Sequence, residues 1–391
     1  HAGGPGKAPD MEYAYKLWLA HGVTTVRGVS LAPHAIARSE RDRSARGEIV
    51  APRIFNYQTL GSGWNRGRIR NAEMAREWVR WGAANGVDGI KFFIRNDETP
   101  EVVLAAIDEA KKVGMGTVAH IAQPGVAQLN AAQLAEAGLG TITHFYGHFE
   151  SLLGGRTIQN YPVDYNFLDE QKRFGEAAEI WRQVDIGMPG WDDYLKAQVE
   201  TGVAFDPTMT IYAASRDLMR AKNASWHDTY TLPTLLDYFE STRDNHGSYF
   251  FDWTTQNEVS WRRFYDRFMR LLNDYKKAGG VVTVGSDSGF IWKLFGFGYI
   301  EELELLQEAG FHPLEVVRAA TMDGANVLAE PTGRPAEFGI VRPGMSADLV
   351  IVPENPLQNF KTLYATGHER LSPENRIETV GGVKWTVARG V

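Results

Sequence analysis

Short β-branched runs alternate with amphipathic helical stretches over about 290 residues, and this alternation limits the fold more than any other feature of the chain. Val23-Thr24-Thr25-Val26-Arg27 reads as a strand, after a helical stretch that includes Tyr13 to Leu19. Arg53 to Tyr57, Gly89 to Ile94, Gly116 to His120, Thr141 to Phe145, Val203 to Thr208 and Val281 to Asp287 read as six more. Parallel strands need long crossovers, usually helical, so the pattern predicts a parallel sheet. With an eighth strand expected to end at or just before residue 1, the α/β repeat closes most naturally into a (β/α)8 TIM barrel. A doubly wound open sheet is the main competitor. It finds neither a Gly-x-Gly-x-x-Gly phosphate turn nor a P-loop to support it.

The repeat is interrupted between His144 and Asp287. Roughly 140 residues separate them, where two βα units of about 30 residues each would suffice. The surplus falls in two pieces, an aromatic and irregular stretch over 150–189 and a mostly helical one over 213–275. In the second, Trp261, Phe264, Phe268 and Leu271 recur at helical spacing, the signature of a core-facing stripe. From about residue 336 the pattern changes to strand and turn. Ala347 to Val352 reads as a strand, and Thr379 to Val387 as a hairpin about Gly381-Gly382. The expected organisation is a barrel over 1–335 carrying lid-like insertions, with 336–391 forming the C-terminal part of a small β-sandwich domain.

Composition narrows the function classes. Hydrophobic residues make up 43% and charged residues 23%, near globular averages, which excludes a disordered or fibrous chain. No apolar run approaches the ~18 residues of a membrane span. A net charge of −7 without long single-sign blocks argues against a dedicated nucleic-acid binder. There is no cysteine, so any transition-metal site must use His, carboxylates or a modified Lys. Residue 1 is His, which reads as a start within a longer precursor.

Barrel active sites form where strands end at the C-terminal rim. His120, His144 and Asp287 close three of the strands, and His1 falls where the first would finish. Lys91 lies in mid-strand among Ile90, Phe92 and Phe93, where a lone ammonium is expensive. Each alone has a plain structural explanation: a hydrogen-bonded core histidine, a snorkelling lysine, a loop-capping aspartate. Their joint occurrence at one rim is harder to explain as packing. Imidazole and carboxylate suit zinc and similar divalent ions. A Lys carboxylated by CO2 becomes an anion with two oxygens, able to bridge two cations. Tyr57, Trp64, Tyr146 and Tyr212 follow or end strands and are candidates to line a pocket, with packing roles equally open. His148, four residues past His144, is a candidate for reaching substrate, and Arg95 for holding a substrate carboxylate. His227, His246 and His312 read as surface or cap residues.

Five stretches carry a family resemblance: His21-Gly22-Val23-Thr24-Thr25-Val26-Arg27, Gly89-Ile90-Lys91, the strand-end His120 and His144, Gly285-Ser286-Asp287-Ser288-Gly289, and Gly339 to Val350. With them the chain resembles the metal-dependent amidohydrolase superfamily, most closely its imidazolonepropionase-related and Xaa-Pro dipeptidase (prolidase) branches. The resemblance implies two divalent metal ions, zinc first among them, with Lys91 as the carboxylated bridge. His120 and His144 would bind the second metal, Asp287 and His1 the first, His1 matching the second His of a His-x-His pair. Arg27-Gly28-Val29 stands where relatives commonly have Arg-Asp-Val, and no role is assigned to that loop. The implied reaction is hydrolysis of an amide bond in a small substrate such as a dipeptide or N-acyl amino acid. A metal-bridging hydroxide would attack, and Asp287 would carry the proton to the leaving amine. A lactone, ester or cyclic amide, or deamination, would suit the same chemistry, and a non-catalytic barrel scaffold is the alternative outside enzymes. The expected partner is a small molecule, with no nucleic acid or membrane span, and a homo-oligomer is compatible. Export signals among relatives favour a periplasmic or secreted location over the cytoplasm.

Overall fold

The structure, a computed structural model, describes residues 10–29, 31–94, 98–154, 166 and 169–391. Seven parallel strands form one sheet: β1 (Thr25–Val29), β2 (Arg53–Thr59), β3 (Gly89–Ile94), β4 (Gly116–Ile121), β5 (Thr141–Thr143), β6 (Ala204–Asp206) and β7 (Val281–Val282). They pair in sequence order from β1 to β7. This is the curled sheet of a TIM barrel, as the alternation predicts. The expected eighth strand lies outside the described residues.

The inner strands are covered on both sides, which is why β3 and β4 read as nearly continuous apolar runs. Helices form the outer layer, and local chemistry sets their ends. Pro100–Val113 begins with Pro at its first turn, carries Lys111 and Lys112 in its last turn, and stops at Gly114 in the left-handed conformation.

The described residues of the insertion hold more helix than the sequence suggests. The stretch read as irregular contains a helix, Glu170–Ile180, capped by the Asp169 side chain on the Lys172 amide. The expected helical piece contains Thr255–Lys277, with a capping box at Thr254 and Asn257. Its stripe of Trp261, Phe264, Phe268 and Leu271 is buried. Phe264 meets Phe145 at 4.8 Å and Trp181 at 5.2 Å between ring centroids, so the stripe is core.

At the C-terminus, β8 (Leu349–Ile351), β9 (His368–Leu371), β10 (Ile377–Val380) and β11 (Trp385–Val387) make two small antiparallel sheets, β9 with β10 and β8 with β11. The hairpin expected about Gly381-Gly382 does not form. Its two flanks pair with different strands, and Gly382 instead presses against the backbone at Tyr364 and Gly367, where a side chain would not fit. The hairpin lies one strand earlier, turning at Asn375 with φ +57°.

Two buried histidines tie stability to pH. His21 donates from Nδ1 to the Leu17 carbonyl at 2.7 Å, and His148 Nδ1 meets the Tyr194 hydroxyl at 2.6 Å. Burial pushes His21 down to about 4 and His148 to about 3. Between those values and the ordinary one near 6.5 the unfolded chain binds protons that the folded chain refuses. Stability is therefore complete above that range and is lost as pH falls through it. At pH 5 each residue withdraws about 2 kcal/mol. Urea midpoints should drop steeply between pH 6.5 and 5, and His148→Gln should flatten the slope. An unchanged slope in the variant would remove His148 from this role.

Candidate active site

The barrel encloses a cavity of about 740 Å³, and Lys91, His120, His144 and Asp287 all face it. Lys91 and His120 point inward because alternate residues of a strand do, whereas His144 and Asp287 lie beyond the ends of β5 and β7 and reach the cavity through backbone with positive φ. Lys91 on β3 is buried, with Nζ 3.3 Å from Thr143 Oγ1 and 5.2 Å from the centre of the Phe93 ring. Burial pulls its amine down to about 8. The Asp287 and Asp206 charges oppose that pull, and Arg27 adds to it.

His120 on β4 and His144 just past β5 bring their rings to 4.8 Å. The hydroxyl of Thr208 donates to the Pro207 carbonyl at 2.8 Å, which leaves its lone pair to accept from His144 Nδ1. The opposite ring nitrogen, Nε2, is then free of a proton and stands 3.7 Å from Asp287 Oδ2. Burial holds His144 at about 4, so the ring is neutral at pH 7. A hydrogen bond that fixes the tautomer and frees the other nitrogen is what a metal-binding imidazole requires.

His144, Thr208 and Asp287 have φ of +68°, +44° and +47°, a region that side chains other than glycine's rarely occupy. Such strain persists only where surroundings enforce it. The enforcing contacts are visible at Thr208. Glu302, fully buried on the helix Phe297–Glu308, accepts from the backbone amides of Met209 at 3.0 Å and Thr210 at 2.6 Å. Its neighbour Glu301 accepts from the Thr210 hydroxyl and from Lys293, each at 2.6 Å.

Three further residues belong to this cavity although the sequence reading gave them no role: Arg27, Asp206 and Thr208. Arg27 Nη2 lies 2.6 Å from Asp206 Oδ2, and Nη1 lies 3.0 Å from Thr141 Oγ1. The signals that picked out Lys91 and His120, a charge within a strand and a polar strand end, apply equally to Arg27 and Asp206.

The other candidates scatter. Tyr57 is buried inside the barrel over Gly89 and Gly116, where neither glycine has room for a side chain, so it is lumenal packing. Tyr146 lies 6.0 Å from His120 and Tyr212 5.6 Å from His144, ring to ring, both within the aromatic layer behind the histidines. Trp64 is half-buried in the loop after β2, with Arg66 over its ring. His148 does not face the cavity. The helix His148–Leu152 starts at once and turns the ring onto Phe205, 4.4 Å away. His227, expected at the surface, is buried between Thr231 Oγ1 and the Ala221 carbonyl, whereas His312 caps the helix Pro313–Arg318 as expected. His1 and Arg95 lie outside the described residues.

Among the described residues no three His, Asp or Glu side chains are drawn together into a ready metal cage. The donor chemistry nevertheless fits a divalent cation: two imidazoles, one of them with a freed Nε2, a carboxylate facing it, and the bare Oδ1 of Asp206, buried without a hydrogen-bond partner among these residues.

A model of the amidohydrolase family matches residues 11–369. Among solved structures, a Xaa-Pro dipeptidase with bound methionine is 18% identical, with a TM-score of 0.59 over 97% of this chain and 77% of the other. A bottromycin amidohydrolase is 18% identical, with a TM-score of 0.63 over 97% and 73%. A putative prolidase from Bifidobacterium longum is 21% identical, with a TM-score of 0.53 over 97% and 75%. No curated protein matches the chain.

Proposed function

The chain belongs to the amidohydrolase family, and from that premise we propose that it is a metal-dependent hydrolase cleaving the amide C–N bond of a dipeptide or N-acyl amino acid. The observation that carries this reading is the facing pair His144 Nε2 and Asp287 Oδ2, 3.7 Å apart beside the buried Lys91.

His120 and His144 would hold a divalent metal through ring nitrogens and Asp287 through a carboxylate oxygen, with His1 as the resemblance implies. Lys91 as an amine is a poor ligand. Its depressed pKa leaves a sizeable neutral fraction near pH 7 to 8, and a neutral amine can add CO2. The resulting carbamate would contribute the anionic oxygens that the His and Asp set lacks. When bound, a divalent metal polarises the scissile carbonyl and lowers the pKa of the attacking water.

The protein's own groups do the rest. Asp287 accepts the proton of the attacking water at a carboxylate oxygen and returns it to the amine nitrogen as the C–N bond breaks. Thr208 keeps the His144 ring in one tautomer throughout, so His144 takes no proton from this exchange. Glu302 keeps Thr208 in place through the Met209 and Thr210 amides.

Release of free amine from a panel of dipeptides and N-acyl amino acids tests the proposal. Turnover should fall at least about a hundredfold after chelation and return when zinc and bicarbonate are supplied together. Full turnover in the chelated protein would refute metal dependence, and cleavage of lactones with no amide cleaved would refute the substrate class.

A further inference from the structure

The residues that follow Ser288 make a turn that no local preference explains. Ile291 and Trp292 have φ of +52° and +59° in succession. A β-branched or bulky side chain in the left-handed region is an outlier that only its surroundings can enforce. Both side chains are buried. The turn closes on itself, since the Gly289 amide donates to the Lys293 carbonyl at 2.9 Å and the Lys293 amide to that of Phe290 at 3.1 Å. At its far end Lys293 is tied to Glu301 on the barrel helix Phe297–Glu308. Its other side is held by the second piece of the insertion. The Trp292 ring lies 5.5 Å from that of Phe239 and 5.6 Å from that of His227, with Lys222 Nζ over its face at 4.9 Å. The Gly247 carbonyl accepts from the Ile291 amide, and the His246 ring stacks on Phe290 at 5.3 Å. At the near end, two residues before the turn, Asp287 is itself left-handed with φ +47°.

We propose that Trp292 is a positioning residue and that this part of the insertion is a bracket for the Asp287 loop. By gripping Trp292 the bracket keeps the turn 289–293 closed in its left-handed form. The closed turn in turn fixes the Asp287 backbone so that its carboxylate faces His144. The barrel's own anchor, the pair of Lys293 with Glu301, restrains only the far end and leaves residues 291 and 292 able to rotate. Freed of the ring contacts they would relax to negative φ, the Ile291 amide would leave Gly247, and Asp287 would follow. That Asp287 is the group to be held rests on the function proposed above, whereas the grip on the turn does not.

Hydrogen exchange on the full chain, read by mass spectrometry on peptides spanning 286–296, reports the turn through the amides of Gly289, Ile291 and Lys293. In Trp292→Ala these should exchange about tenfold faster, the order that one such backbone conformation costs, while the amides of β3 keep their wild-type rates. The accompanying loss should be about tenfold in kcat, with KM within about threefold of wild type. Trp292→Gly loses the same ring yet accepts positive φ freely, so it should recover at least about threefold of both effects relative to alanine. Where φ is negative the order is the reverse, glycine being looser than alanine. Phe239→Leu alters only the insertion side, should loosen the same amides, and serves if the Trp292 variants fail to fold. Unchanged exchange in Trp292→Ala or Phe239→Leu would overturn the bracket, and in an active enzyme it would leave the functional reading standing. Glycine exchanging as fast as alanine, or faster, would overturn it as well. Amides that loosen in the predicted order while kcat holds would overturn the positioning of Asp287. The predicted exchange pattern in a protein that cleaves no amide would refute the functional reading and leave the bracket in place.

Discussion

Asp287→Asn is expected to lower kcat about a thousandfold while KM for the same amide stays within about threefold, a loss of about 4 kcal/mol from the transition state alone. Asparagine matches aspartate in shape and keeps one oxygen in place, so substrate binding and the loop about residue 287 survive. It cannot accept a proton, so the water's proton has no carrier to the leaving nitrogen. The strained backbone at this position, φ +47°, is common to both residues, because Asn tolerates the left-handed region as well as Asp does. Steady-state kinetics and metal content on one preparation check the prediction. Wild-type turnover in a fully loaded variant would show that another group moves the proton.

Lys91→Met is expected to cost still more, because the proposed reaction depends on the donor that a carboxylated Lys91 would supply. Methionine fills a similar volume beside Phe93 and Thr143 and relieves the burial of an amine, so folding should be unimpaired or improved. Hydrolysis should nevertheless fall by at least about 10⁴-fold, equivalent to about 5 kcal/mol or more. Added bicarbonate, which should stimulate a metal-depleted wild type, should do nothing for the variant. Retained activity with a higher melting temperature would mean that Lys91 is merely a tolerated core lysine.

Much of this site could be read from the chain because its groups violate their surroundings. Lys91 interrupts an apolar strand, and His120, His144 and Asp287 close β-branched runs where a barrel places its chemistry. Arg27 and Asp206 carry the same signals, a charge within a strand and a polar strand end. Glu302 carried none. A glutamate in an amphipathic helix reads as solvent-facing, and only the non-local arrival of Met209 and Thr210 buries it. The misread elements fail for a related reason, since local turn and spacing rules yield to tertiary contact. Gly381-Gly382 has the composition of a tight hairpin, yet Gly382 serves close backbone packing against Tyr364. His148 has the spacing of a rim residue, yet the helix that begins there directs it into the core. The last barrel strand reads as seven residues, Val281 to Asp287, and ladder pairing covers only Val281–Val282. Beyond them the chain bends to set Gly285 against Asp206 and to aim Asp287 at His144.

Metal content per chain, measured by elemental mass spectrometry on wild type and Lys91→Met supplied with zinc and bicarbonate, tests the central claim most directly. The account predicts about two divalent ions per chain in the wild type and a clear loss in the variant. Equal metal content in the two proteins would contradict a metal-binding role for Lys91, and no metal in either would contradict the metal-dependent hydrolase itself.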